Sequence, residues 1–192
     1  MEDQLTQEES LQIIKRMIST SRHNIKKTDS FMFLLWGYVV FGASAVNIIL
    51  FHTPYADYAF AGWLLILVGI IGSIYFGIKE GKQQTVKTYV DTMLSYTWIA
   101  FGVCMAIVLV FGFKLKLNLY PVILLFYGIG LFISGGAYKF KPLIVGGIIC
   151  WLCSVIAFNV EFYYQLIILA FAVLAGYIIP GHLLNSKAAE NV

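Results

Sequence analysis

Cysteine, histidine and the carboxylates come first, because their side chains carry most protein chemistry. Cys150 and Cys153 form C-x-x-C, and Cys104 is the third cysteine. A redox pair of this spacing needs a stabilised thiolate and access for a partner thiol. Here both cysteines lie inside an apolar run, where they read as small packing residues, and an odd count gives no disulfide framework. His23, His52 and His182 fall in separate polar breaks or tails, so no metal cage is expected from them. No glycine-rich phosphate loop stands between a strand and a helix. No Asp, Glu, Lys, Arg or His lies near the middle of any apolar run, which argues against proton- or sodium-coupled transport and against hydrolysis within a membrane. The chain is therefore expected to be no enzyme, with no catalytic residues, no metal and no cofactor.

One polar constellation remains. Asn47, His52, Asn159, Glu161 and Gln165 all map to the ends of apolar runs or to the breaks on one side. Glu161 is the acid of the break between the fifth and sixth runs. If the first, fifth and sixth runs converge, Asn47, Asn159, Glu161 and Gln165 form an outer polar mouth for a small solute or a partner. The rival reading is that these groups satisfy helix ends and interfacial water.

The elements that position them follow from composition. The chain has 192 residues, of which 60% are hydrophobic and 12% charged; soluble domains carry about 25% charged residues. So few polar groups cannot cover a globule in water. Six apolar runs, at about 31–51, 58–78, 93–113, 120–138, 142–160 and 162–181, are each near the ~20 residues needed to cross hydrocarbon. The breaks are His52–Asp57 with Pro54, the polar stretch Lys79–Asp91, Lys114–Asn118, the turn Lys139–Lys141, and Asn159 with Glu161. The fold class is all-α: a polytopic membrane protein of six transmembrane helices preceded by a cytoplasmic amphipathic helix. The expected divisions are residues 1–29, 30–182 and a tail at 183–192.

Lysine and arginine set the orientation. With the N-terminus inside, Lys15, Arg16, Arg22, Lys26, Lys27, Lys79, Lys82, Lys87, Lys139, Lys141 and Lys187 are all cytoplasmic, and the outer loops hold only Lys114 and Lys116. Both termini are then cytoplasmic. Lys139 and Lys141 act as topology anchors: a lysine at mid-bilayer costs roughly 2.5–3.5 kcal/mol, so their turn must reach the interface.

In the N-terminal segment, Thr6-Gln7-Glu8-Glu9 fits a capping box. Leu11, Ile14, Ile18 and Ile25 then recur on one helical face, flanked by Lys15, Arg22 and Lys26. Such a helix lies on an anionic membrane surface or against the base of the bundle; docking to another protein is the rival. Leu11, Ile14, Lys15, Ile18 and Arg22 are the contact residues in either case. The basic residues are accounted for by topology and anionic lipid, and direct binding of nucleic acid is not expected. No cleavable signal peptide is expected, because the first 25 residues are charged and lack a short apolar core.

Small residues recur four apart at Gly69 and Ser73, Gly102 and Ala106, Gly130 and Ser134, Gly146 with Cys150 and Ser154, and Ala172 and Gly176. Such rows let helices approach closely, within the bundle or across a homo-oligomer. Trp36, Trp63 and Trp98 lie about a turn inside run ends, as interfacial belt residues do. Trp151 is near mid-run and needs a partner for its indole N–H. A faint hairpin repeat pairs Phe41-Gly42 with Phe101-Gly102, and Val68-Gly69-Ile70 with Tyr127-Gly128-Ile129.

The stretch Ser134–Cys153, S-G-G-A-Y-K-F-K-P-L-I-V-G-G-I-I-C-W-L-C, joins two runs at the basic turn. Together with Glu9–Ile18, Phe33–Gly37 and Ile178–Gly181, it resembles a family of small, uncharacterised six-span inner-membrane proteins of Gram-negative bacteria. The specific part is the G-A-x-K-F-K-P…G-G-I-x-C-W block, here Gly136–Trp151. Members of that family look like companions of small winged-helix transcription regulators. The resemblance implies a signalling or accessory role in the bacterial inner membrane and carries over no site residues; the longer second outer loop of some members is short here.

The functional expectation is a non-enzymatic accessory, sensor or interaction protein that meets a cytoplasmic or membrane protein partner through the N-terminal helix and the basic turns. The alternative is a small channel or facilitator for a neutral or weakly polar solute.

Overall fold

Hydrocarbon offers no water to backbone N–H and C=O groups, so an apolar run that enters it must bond internally, as a helix does. The computed structural model describes residues 27–83, 88–112 and 118–190, and there the runs are helical with no strand. The N-terminal contact residues Leu11, Ile14, Lys15, Ile18 and Arg22 lie outside the described residues.

Helix α1 covers Lys27–Phe51. A 3-10 segment, Ala56–Leu64, leads into α2, Leu65–Gln83. Helix α3 is Tyr89–Val110, α4 is Leu119–Ala137 and α5 is Lys141–Ala157. The last rod is α6, Phe162–Val173, continued by a π-helical segment, Leu174–Ile178, and by α7, Ile179–Glu190. Five stretches are long and apolar enough to cross a bilayer: Thr28–Phe51, Ala56–Lys79, Tyr89–Val110, Leu119–Ala137 and Phe162–Ala189. The sixth, α5, is apolar but has 17 residues, about 25 Å at the helical rise. It stops before the expected end at residue 160 because Phe158–Val160 turn to meet α6.

Both ends of the polar stretch Lys79–Asp91 are helical. Helix α2 runs on to Gln83, and α3 begins at Tyr89. Thr88 is its N-cap: the Asp91 N–H donates to Thr88 Oγ1 at 3.1 Å, and the Thr88 N–H donates to Asp91 Oδ2 at 2.9 Å. This reciprocal pair satisfies two donors that a helix start leaves free. Residues 183–190 likewise continue the last helix.

The helices alternate in direction. At one end, Phe33 packs against Tyr138 and Tyr177, and Ser30 Oγ donates to Asn185 Oδ1 at 3.1 Å. At the other end, Trp63 stacks on Tyr120, and Tyr120 meets Phe162. The middle is closed by glycine. A Cβ on Gly146 would stand 2.8 Å from Gly176 Cα, and one on Gly147 would stand 2.8 Å from the Gly128 carbonyl oxygen. The α4–α5 hairpin is the most intimate pair. A Cβ on Gly135 would meet the Ile144 backbone N at 2.6 Å. Trp151 lies against Gly128 and donates its indole N–H to the Leu125 carbonyl at 3.2 Å.

Four rods, built on α1, α4, α5 and α6–α7, carry most of the burial. The second and third spans flank them: 17% and 6% of their most apolar windows are buried, against 39–50% for the other three long stretches. Trp36, Trp63 and Trp98 hold these flanks to the core instead of forming a lipid-facing belt. Trp36 Nε1 donates to Ser73 Oγ at 3.0 Å with its ring over Gly69, and Trp98 packs edge-on to Phe33 and beside Gly130.

Candidate functional site

The polar residues at the outer end were expected to surround a mouth. Asn47 sits in the last turns of α1, where the 3-10 segment crosses over it. A Cβ on Gly62 would come 2.6 Å from Asn47 Nδ2, so only glycine lets that crossing close. Asn47 is 3% exposed, and its Nδ2 donates to the Ala43 carbonyl at 2.7 Å. The amide is folded down onto its own helix, beneath the 3-10 segment.

Gln165 stands one turn into α6 and is 1% exposed. Its Nε2 donates to the Val160 carbonyl at 3.1 Å, and its Oε1 has no hydrogen-bond partner. Asn159 is exposed and donates to the Val155 carbonyl at 2.8 Å. The last carbonyls of a helix have no partner within it; the two amides supply donors where α5 ends. Glu161 occupies the N-cap position of α6 in extended backbone, exposed, with no capping bond from its side chain.

Convergence of the first, fifth and sixth spans is real: α6 packs against both α1 and α5. The contact between α1 and α6 at this end is aromatic. Tyr163 lies edge-on to Phe51 and to His52, with ring centroids 6.1 and 5.4 Å away. His52 Nδ1 is 2.9 Å from the Ile48 carbonyl, which makes it the donor there; its Nε2 faces the Tyr163 hydroxyl at 3.5 Å, the outer limit of a hydrogen bond. Tyr163 was not among the expected site residues. Its signal was an aromatic next to a helix start, too common to single out.

At the expected mouth, Asn47, Asn159 and Gln165 are thus turned to backbone carbonyls, Asn47 lies under the 3-10 segment, and Asn159 and Glu161 are on the surface. At the opposite end, Lys139 and Lys141 flank the α4–α5 turn, both exposed. Lys139 has a positive φ of 51°. Its N–H donates to the Gly136 carbonyl and the Phe140 N–H to the Gly135 carbonyl, at 3.2 and 2.8 Å. These two bonds form the Schellman closure of a helix, with lysine where glycine is usual.

The three cysteines are free thiols. Cys150 Sγ is directed at the Ala172 carbonyl, at 3.9 Å, and Cys150 and Cys153 are buried. Among the described residues no three His, Cys, Asp or Glu side chains gather into a metal-binding group. Compared with protein-family models, with curated proteins and with solved structures, the chain finds no match.

Proposed function

We propose that this chain is a non-enzymatic protein of the bacterial inner membrane that acts through contact, as an accessory, sensor or interaction protein. The observation that carries the reading is the closed, glycine-packed middle of the bundle, where Gly146 meets Gly176 and Gly147 meets Gly128. A bundle filled by backbone contact favours a scaffold over a conduit. The resemblance to six-span inner-membrane proteins that accompany transcription regulators points the same way. Lysine and arginine placement puts both termini on the cytoplasmic side, so the N-terminal segment and the basic turns would face a cytoplasmic partner. The second and third spans, with their bare apolar faces, would meet lipid, a membrane partner or a second copy.

The test is site-specific photocrosslinking in native membranes, with the reactive group at Leu11, at Ile14 or beside Lys139. A discrete adduct with one protein, lost when Lys15 and Arg22 are neutralised, is the expected result. Adducts with lipid alone from all three positions would overturn the reading.

The second reading is a facilitator for a small, weakly polar solute. Its one supporting observation is the buried, unpartnered Gln165 Oε1, a free acceptor at the outer end. Solute flux into proteoliposomes that falls on Gln165→Leu substitution would favour it; equal flux in protein-free vesicles would remove it.

A further inference from the structure

A groove of about 400 Å³ runs between α5 and the last rod, lined by Lys141, Pro142, Val145, Gly146, Ile149, Ala175, Ile179 and Pro180. It owes its depth to missing side chains. Gly146 lies against Gly176 at its floor, and Ala175 adds only a methyl. Its rims, Val145 and Ile179, are 53% and 51% exposed. In a membrane-spanning helix that exposure is to acyl chains, so the groove opens sideways into lipid.

Each wall is a stripe of residues four apart. On α5 the stripe is Lys141, Val145 and Ile149. On the last rod the lining residues are Ala175, Ile179 and Pro180, and the stripe that includes Ile179 continues beyond the groove through Leu183 to Lys187. Residues so spaced share a helix face, and each stripe ends in a lysine at the same end of the bundle. From Lys141 to Ile149 the stripe on α5 spans nine residues, about 12 Å at the helical rise. Lys187 is held at that end by Phe140, its Nζ 5.3 Å from the ring centroid. Phe140 itself lies between Lys139 and Lys141 in the turn. No Asp or Glu occurs between Asp91 and Glu161 in the sequence, so the α4–α5 hairpin brings two cations, Lys139 and Lys141, and no acid of its own, and Lys187 of α7 adds a third at the same end. An apolar slot that faces lipid and ends in lysines at the interface has the chemistry of a phospholipid: acyl chain below, phosphate above.

We propose that the groove between α5 and the last rod is a binding site for one anionic phospholipid, its acyl chain seated against Gly146 and Ala175 and its phosphate held by Lys141 and Lys187. Lys139 adds charge from the other side of the turn. The positive end of the α5 helix dipole lies at the same turn, which favours an anion further.

The test uses the full chain in detergent, with native mass spectrometry and thermal unfolding in the presence of phosphatidylglycerol, of phosphatidylcholine or of inorganic phosphate. Phosphatidylglycerol should be retained at one per chain and should raise the unfolding temperature; phosphatidylcholine and phosphate should do neither. The double substitution Lys141→Gln with Lys187→Gln should weaken retention about tenfold. Lys141→Arg, which keeps the charge, should retain the lipid, and Val145→Trp, which fills the slot, should displace it. Lys82→Gln, a cation on α2 away from the groove, should leave retention unchanged. Equal retention of the two lipids, equal stabilisation by phosphate alone, or full retention in the glutamine pair would each overturn the proposal.

Discussion

Gly146 and Gly176 touch through their backbones: a Cβ on Gly146 would stand 2.8 Å from both Gly176 Cα and the Gly176 carbonyl oxygen. Backbone cannot swing aside as a side-chain tip can. Gly146→Ala must therefore push α5 away from the last rod, and overpacking of this kind costs about 1–3 kcal/mol. Gly102 offers the control, since nothing lies within 4 Å of a Cβ built there. The expected outcome is that Gly146→Ala lowers the unfolding temperature in detergent by several degrees, while Gly102→Ala leaves it unchanged or raises it.

Trp36 and Ser73 join the first span to the second across a surface that is otherwise little buried. The indole N–H donates to the hydroxyl at 3.0 Å, and Gly69 makes room for the ring, with a Cβ there only 3.3 Å from Trp36 Cζ3. Hydrogen bonds between membrane helices are worth about 0.6 kcal/mol on average in double-mutant cycles. The cycle Trp36→Phe with Ser73→Ala should return a coupling of about that size, and Gly69→Leu should exceed either single change because it evicts the ring. A coupling of zero would mean the two residues are not partners in the folded protein.

Much of this architecture is written in the sequence, and what is not has a physical cause. Hydropathy places the six runs because length and apolarity are what a membrane requires. It does not say which face of a run is buried, since lipid and protein interior are equally apolar. The row Gly102–Ala106 therefore looks like the row Gly146–Cys150, yet the first is open and the second lies against the last rod. Trp36 near a run end reads as an interfacial anchor because position along the helix is visible and rotation about it is not. The start of α3 was legible: Thr88-x-x-Asp91 is a capping pattern, obscured by the lysines that make the preceding stretch look like a loop. At the expected outer mouth, the sequence shows the amides of Asn47 and Gln165 and their common end of the bundle. It does not show that each turns to a nearby carbonyl, because that depends on Gly62 and on the turn at Phe158–Val160.

Tyr177 lies in the π-helical segment, 4% exposed, with its ring beside Tyr127 and Phe33 and no hydrogen-bond partner for its hydroxyl. Ser154 is equally buried but donates to the Pro121 carbonyl at 2.8 Å. A buried polar group without a partner carries a desolvation penalty of about 1–3 kcal/mol. Tyr177→Phe keeps the ring and removes that penalty, so it should leave stability unchanged or raise it. Ser154→Ala should lower stability by about 1 kcal/mol, the net worth of one hydrogen bond. Thermal unfolding of the two variants in one detergent decides the matter; a loss in Tyr177→Phe larger than in Ser154→Ala would show that the tyrosine hydroxyl has a partner after all.

Lys139 holds a left-handed conformation, with φ 51°, to close the α4–α5 hairpin. The left-handed region costs an L-residue with a Cβ roughly 1–2 kcal/mol relative to its preferred wells, and glycine escapes that cost. Lys139→Gly should therefore stabilise the hairpin, by about 1 kcal/mol once the greater freedom of glycine in the unfolded chain is counted. It should also remove a cation from the turn. The two effects separate in one pair of measurements: unfolding temperature in neutral detergent should rise, and the extra stabilisation from phosphatidylglycerol should shrink. Lys139→Ala distinguishes them further, because it loses the same charge but keeps the Cβ. It should match the glycine variant in lipid response and fail to match it in stability.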